Sequence, residues 1–97
     1  MRLNYSTDAE NEIDAIYDYL FKNFGEKQAT EKITNLYKSI ELLIDNPFMG
    51  KSVDGHDQNL RTLFSKPNII LYDIDDNIIE ILHIVDARTN YKNNLKL

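Results

Sequence analysis

The sequence predicts an α+β domain of order β-α-α-β-β-β, with a helical hairpin packed on a mostly antiparallel four-stranded sheet. Three observations predict it. Residues 59–91 read as apolar runs (N-L-R-T-L-F-S, I-I-L-Y-D-I, I-I-E-I-L-H-I-V) separated by the short turn clusters K-P-N and D-D-N, the signature of a three-stranded meander. Two upstream stretches carry apolar residues at helical spacing. A single short link containing Gly25 joins those stretches, which forces an antiparallel helix pair.

Each element follows in order. Residues 2–5 form a short strand with Leu3 and Tyr5 on one face. Thr7 followed by Glu10 has capping-box spacing and opens the first helix. Asp8 and Glu10 suit the positive end of its dipole. Its apolar stripe is Ala9, Ile13, Ile16, Tyr17, Leu20, Phe21 and Phe24, and Gly25 ends it. The second helix spans 27–44, with a stripe of Ala29, Ile33, Leu36, Tyr37, Ile40, Leu43 and Ile44. Asn46-Pro47 stops it, because a residue before proline disfavours helical geometry. Residues 46–58, with two glycines and a proline, form the one long loop.

Ninety-seven residues make one domain spanning 1–97, able to bury one modest core. Without cysteine, disulfides and thiol chemistry are excluded, and the composition fits a reducing, cytoplasmic setting. No apolar run is long enough to span a membrane. The net charge of −5 argues against a general nucleic-acid binder. That charge sits entirely in residues 1–59. The segment 87–97 holds Arg88, Lys92 and Lys96 and no acid, a local positive end on an acidic body.

The capped A-x-x-x-I-x-x-I-Y-x-Y helix, the I-D-N-P-F-M-G that follows the second helix, N-L-R-T-L, I-I-L-Y-D-I and I-I-E-I-L-H-I-V-D-A-R-T-N occur in an order and spacing that resembles the RelE/ParE superfamily of toxins. No single motif is highly specific; their order and spacing together are fairly specific, because L-x-x-x-P-x-x-G followed by an arginine-bearing strand is hard to obtain from core packing alone. The resemblance implies a growth-inhibiting toxin of a type II toxin–antitoxin module, neutralised by a cognate antitoxin protein that wraps an extended segment around it. The implied target is DNA gyrase or the ribosome with its mRNA. No small-molecule cofactor and no metal is implied, and homodimerisation stays open.

A ribosome-dependent endonuclease of this superfamily would need a base, cations on the phosphate and an acid for the leaving oxygen. The candidates are Lys51, Arg61, His83, Arg88 and Tyr91. Arg61 and Arg88 would clamp the phosphate. His83 would move protons, and Tyr91 would stack on a base or donate a proton. Each has a plainer reading. On strict alternation His83 shares a face with Ile79, Ile81 and Val85 and would be tucked in with a hydrogen-bond partner. Tyr91 would cover a sheet edge, and Lys51 would be solvated. Arg61 would need either the surface or a carboxylate.

The nuclease members place a further basic residue in the middle meander strand, where this chain has N-I-I-L-Y. Loss of one such cation costs about 3 kcal/mol of transition-state stabilisation. The resemblance is therefore closer to the ParE branch, with Lys51, Arg61, Arg88, Tyr91 and Lys92 as target-binding residues. The ending V-D-A-R-T-N-Y differs from the usual ParE ending, which often carries a histidine near the position of Asp86 and an acid near Asn90. Asp54, His56 and Asp57 could be offered as a metal site, but three such residues on one loop are common by chance. A third reading is a non-toxic interaction domain of the same fold.

Overall fold

A computed structural model describes residues 1–97. Strand β1 (Arg2–Tyr5) leads into helix α1 (Thr7–Phe24) and helix α2 (Glu26–Glu41), which ends in a 3-10 turn at Leu42–Ile44. Strands β2 (Lys51–Ser52), β3 (Leu60–Ser65), β4 (Asn68–Asp75) and β5 (Ile78–Asp86) follow, then a single helical turn α3 (Tyr91–Asn94). The sheet order is β1-β5-β4-β3-β2, with β1 parallel to β5 and every other pair antiparallel. The expected four-stranded sheet thus gains a fifth member. β2 is two residues long, Lys51 opposite Thr62 and Ser52 opposite Arg61, too short to leave a periodic signal.

The helix start is one residue earlier than the capping-box spacing suggests. Ser6 is the N-cap, and its Oγ accepts from the Ala9 N–H at 3.0 Å. A reciprocal box is ruled out because Ala9, not Glu10, occupies the third helical position. Gly25 (φ 87°) terminates α1, its N–H donating to the Phe21 carbonyl, and also opens α2. A positive φ at this joint is what glycine tolerates and other residues resist.

One face of the sheet is the core. Ala9 and Ile13 of α1, with Leu36, Ile40 and Leu43 from α2 and the 3-10 turn after it, pack on Ile70, Tyr72 and Ile74 of β4 and on Ile79, Ile81 and Ile84 of β5. The last three break strict alternation. Leu71 lies opposite His83 and Tyr72 opposite Ile81, so Leu82 is the extra residue of a β-bulge. The bulge returns Ile84 to the core face and turns His83 to the face it shares with Leu71. His83 therefore does not share a face with Ile79 and Ile81, and this corrects the alternation reading.

β1 pairs only with Ile78–Ile81, which would leave the next part of the β5 edge bare. Two residues of the helical layer take it over. The Ser6 hydroxyl donates to the Leu82 carbonyl at 2.7 Å, and the Ile84 N–H donates to Glu12 Oε1 at 2.9 Å. A buried strand edge thereby keeps its hydrogen bonds without another strand.

Candidate functional site

The loop between the 3-10 turn and β3 is held by two side chains from the sheet. Tyr72 lies fully buried in the middle of β4. Its hydroxyl donates to the Pro47 carbonyl at 2.7 Å and accepts from the Gly50 N–H at 2.9 Å. Arg61, directly opposite Tyr72 on β3, donates from Nη1 to the Gly50 carbonyl at 2.7 Å and, more weakly, to the Phe48 carbonyl at 3.4 Å. Its guanidinium sits 4.8 Å from the centre of the Phe48 ring, a cation–π distance. Gly50 has no room for a side chain. A Cβ there would lie 2.6 Å from both the Thr62 carbonyl oxygen and the Tyr72 hydroxyl.

The L-x-x-x-P-x-x-G spacing now has a physical account. Leu43 anchors it in the core, Pro47 offers its carbonyl to Tyr72, and Gly50 lets the chain pass against the sheet. Burial pushes the Tyr72 phenol above its ordinary pKa, against the opposing pull of the Gly50 N–H and Arg61. The hydroxyl therefore stays protonated and able to donate. Arg61 is partly exposed and finds no carboxylate. It ends on backbone carbonyls, which sequence alone does not display.

The opposite end of the meander carries the second set of candidates. Arg88 forms a fork on Asp86, with Nε to Oδ1 at 3.0 Å and Nη2 to Oδ2 at 2.7 Å, while its own N–H also donates to Oδ1 at 2.8 Å. The side-chain and backbone hydrogen bonds from Arg88 hold the Asp86 carboxyl down to about 2. Asp86 in turn raises Arg88. The two residues form part of the wall of a groove of about 610 Å³, whose other walls include Ile16, Leu20, Phe24, Ile33, Lys32 and Lys66. Tyr91 and Lys92 lie in α3, the turn that follows this end of β5.

His83 has found a partner. Its Nδ1 lies 3.1 Å from Glu12 Oε2, the carboxylate that also caps the β5 edge. Lys51 is exposed on β2. Asp57 Oδ1 accepts from the Asn59 N–H at 2.8 Å, a local turn contact. No cluster of three or more His, Asp or Glu side chains converges on a metal position.

The candidates therefore do not converge. Arg61 lies at the Tyr72 level of the sheet, while Arg88 follows Asp86, which pairs with Asn68 at the far end of β4. Four strand positions at roughly 3.3 Å each separate the Tyr72 and Asn68 levels, two strands apart. The two-arginine clamp is not formed, because the two guanidinium groups lie at different ends of the meander. Sequence reasoning also missed Tyr72, Gly50 and Glu12. Only Gly50 had a hint, in the P-x-x-G spacing.

The model of the ParE toxin of the type II toxin–antitoxin system parDE matches residues 3–91. The chain belongs to the ParE toxin family. Solved structures share the fold. A chain of the chromosomal ParDE toxin–antitoxin system from P. aeruginosa superposes with a TM-score of 0.76 at 23% identity, covering 89% of this chain and 95% of that one. The YoeB/ParE toxin from Agrobacterium tumefaciens gives 0.62 at 11% identity, covering 89% and 98%. A chain of the E. coli DinJ–YafQ complex gives 0.59 at 14%, covering 89% and 93%. No curated protein matches the sequence. Within the ParE family fold, this chain builds the latch of Tyr72, Arg61 and Gly50 at one end and the Asp86–Arg88 groove at the other.

Proposed function

We propose that this ParE-family toxin arrests growth in the cytoplasm by binding a protein target, DNA gyrase before the ribosome, and that it has no hydrolytic site of its own. The observation that carries this reading is the division of the cations. A phosphoryl-transfer site needs positive groups converging on one phosphate. Here Arg61 donates to the Gly50 carbonyl and Arg88 to Asp86, at different ends of the meander. The candidate proton carrier, His83, is paired with Glu12. Charge supports the same reading. Asp73 lies one position from Tyr72, and its carboxyl is raised above the usual range by burial and by Asp75, Asp57 and Glu80 around it. An acidic sheet end beside the would-be active arginine repels RNA.

An antitoxin completes the proposal. The E. coli YafQ structure is a complex with DinJ, and the P. aeruginosa structure is of a ParDE system. For this chain the antitoxin is expected to seat apolar anchors in the groove over Ile16, Leu20 and Ile33, with acids toward Lys32, Lys66 and Arg88. Induction of the chain without the product of the neighbouring reading frame tests the function. DNA synthesis should stall first, with messages intact. New mRNA ends inside translated frames, lost with Arg61→Ala, would favour an endonuclease instead. Unaffected growth would leave an interaction domain that kept the fold.

A further inference from the structure

Tyr72 and Arg61 do more than close a loop: they hold two large apolar side chains in water. Phe48 is 56% exposed and Met49 43% exposed, and Leu42 stands beside the start of the loop at 54%. Packing does not require any of the three to be there, since the core is complete without them. The backbone beneath them is pinned throughout. The Asn46 N–H donates to the Leu42 carbonyl and the Met49 N–H to the Asn46 carbonyl, both at 3.1 Å. Pro47, Phe48 and Gly50 are bound by Tyr72 and Arg61.

With the backbone pinned and the Phe48 ring held against Arg61, this segment has less ordering entropy left to lose on contact than a free loop. That is the condition under which a small apolar cluster becomes a binding anchor. We infer that Phe48 and Met49 form a preorganised knob that inserts into an apolar pocket of the toxin's protein target, and that Tyr72 and Arg61 are positioning residues for it.

The charge around the knob selects a protein over a nucleic acid. The flanking charges are Asp45 and Lys51, one of each sign. The only nearby guanidinium covers the Phe48 ring and is already bound to carbonyls. A nucleic-acid contact would need several uncommitted cations. The knob also lies away from the groove beside Asp86 and Arg88, since none of its residues lines that groove. With the antitoxin seated in that groove as proposed above, target and antitoxin contacts are separate.

The inference rests on the reading of this chain as a toxin that binds a protein, and the experiment keeps the two apart. The full chain and its Phe48→Ala/Met49→Ala variant are compared in four assays: supercoiling by purified gyrase, growth on induction, binding of the neighbouring-frame antitoxin, and thermal melting. The double variant should melt with the unaltered chain and bind antitoxin equally, while the concentration that halves supercoiling rises at least about tenfold and growth arrest falls in parallel. Tyr72→Phe keeps the ring in the core but frees the loop. Assayed below its own melting point, it should lose target inhibition while keeping antitoxin affinity, a split that general destabilisation does not produce. A folded double variant with full toxicity overturns the knob, as does one that loses antitoxin and keeps toxicity. A fully toxic Tyr72→Phe overturns the positioning role. If the unaltered chain arrests growth without touching gyrase, the gyrase reading fails and the growth comparison alone decides the knob. Messages cut by the unaltered chain and spared by the double variant would make Phe48 a base-stacking group and overturn the protein pocket. A chain that never arrests growth overturns both readings.

Discussion

A single hydroxyl carries much of the geometry at the residue scale. Tyr72→Phe removes the acceptor for the Gly50 N–H and the donor to the Pro47 carbonyl. A buried amide left without a partner costs about 1–3 kcal/mol. Urea unfolding should show that loss as a lower midpoint at unchanged slope. Gly50→Ala meets a harder limit, because both atoms at 2.6 Å belong to the sheet or to the latch itself. The loop must move, at a cost of about 1–3 kcal/mol typical of overpacking, and the same unfolding series measures it. Asp86 makes a different prediction. Its folded pKa of about 2 lies below the ordinary 3.8. The Asp86–Arg88 contact thus contributes stability above pH 3.8 and loses it as pH falls toward 2. Carboxyl NMR should find Asp86 titrating at about 2, and Arg88→Ala should return it toward 3.8. A midpoint already near 3.8 in the unaltered chain would contradict the fork.

Among the elements, the edge of β5 is the place where the helical layer substitutes for a strand. Glu12→Ala removes the acceptor of the Ile84 N–H and the partner of His83. Hydrogen exchange should speed at Ile84 ahead of Ile79 and Ile81, which β1 still covers. Equal protection at all three would show that the carboxylate is dispensable. The first strand and the second helix meet through Tyr5 and Tyr37, whose rings stand edge to face at 6.1 Å. Burial, then Tyr37 and Glu41, push the Tyr5 phenol up to about 12. Because the folded value is the higher one, the contribution is whole below pH 10 and is lost between pH 10 and 12. Alkaline unfolding in that window should shift upward in Tyr5→Phe.

These same elements mark what the sequence could say. Both helices and the meander were legible, because their apolar periods of 3.6 and 2 are long enough to read. The bulge at Leu82 was not legible, since one extra apolar residue in I-E-I-L-H-I-V leaves the composition of the run unchanged. Neither was β2, whose Lys51–Ser52 pairing depends on where the latched loop delivers it. The candidate residues were nameable from their chemistry. Their partners were not, because Arg61 and Tyr72 bind carbonyls more than ten residues away in the chain. Ser6 displaced Thr7 as the cap because its hydroxyl also reaches the Leu82 carbonyl, a tertiary bond with no local signature.

The whole molecule is a two-layer body with distinct ends. The latched loop and its apolar knob belong to one, and the Asp86–Arg88 groove to the other. Its net charge of −5 and acidic sheet end favour a protein surface over a phosphate backbone as the thing it meets. On the function proposed above, that separation would let an antitoxin hold the chain at one place while a target is met at another. The direct measurement is the titration of purified DNA gyrase with the purified chain, following supercoiling of relaxed plasmid. Inhibition that rises with toxin concentration and is reversed by the antitoxin is the predicted result. Unimpaired supercoiling, alongside new cleavage of translated messages by the same preparation, would contradict the account.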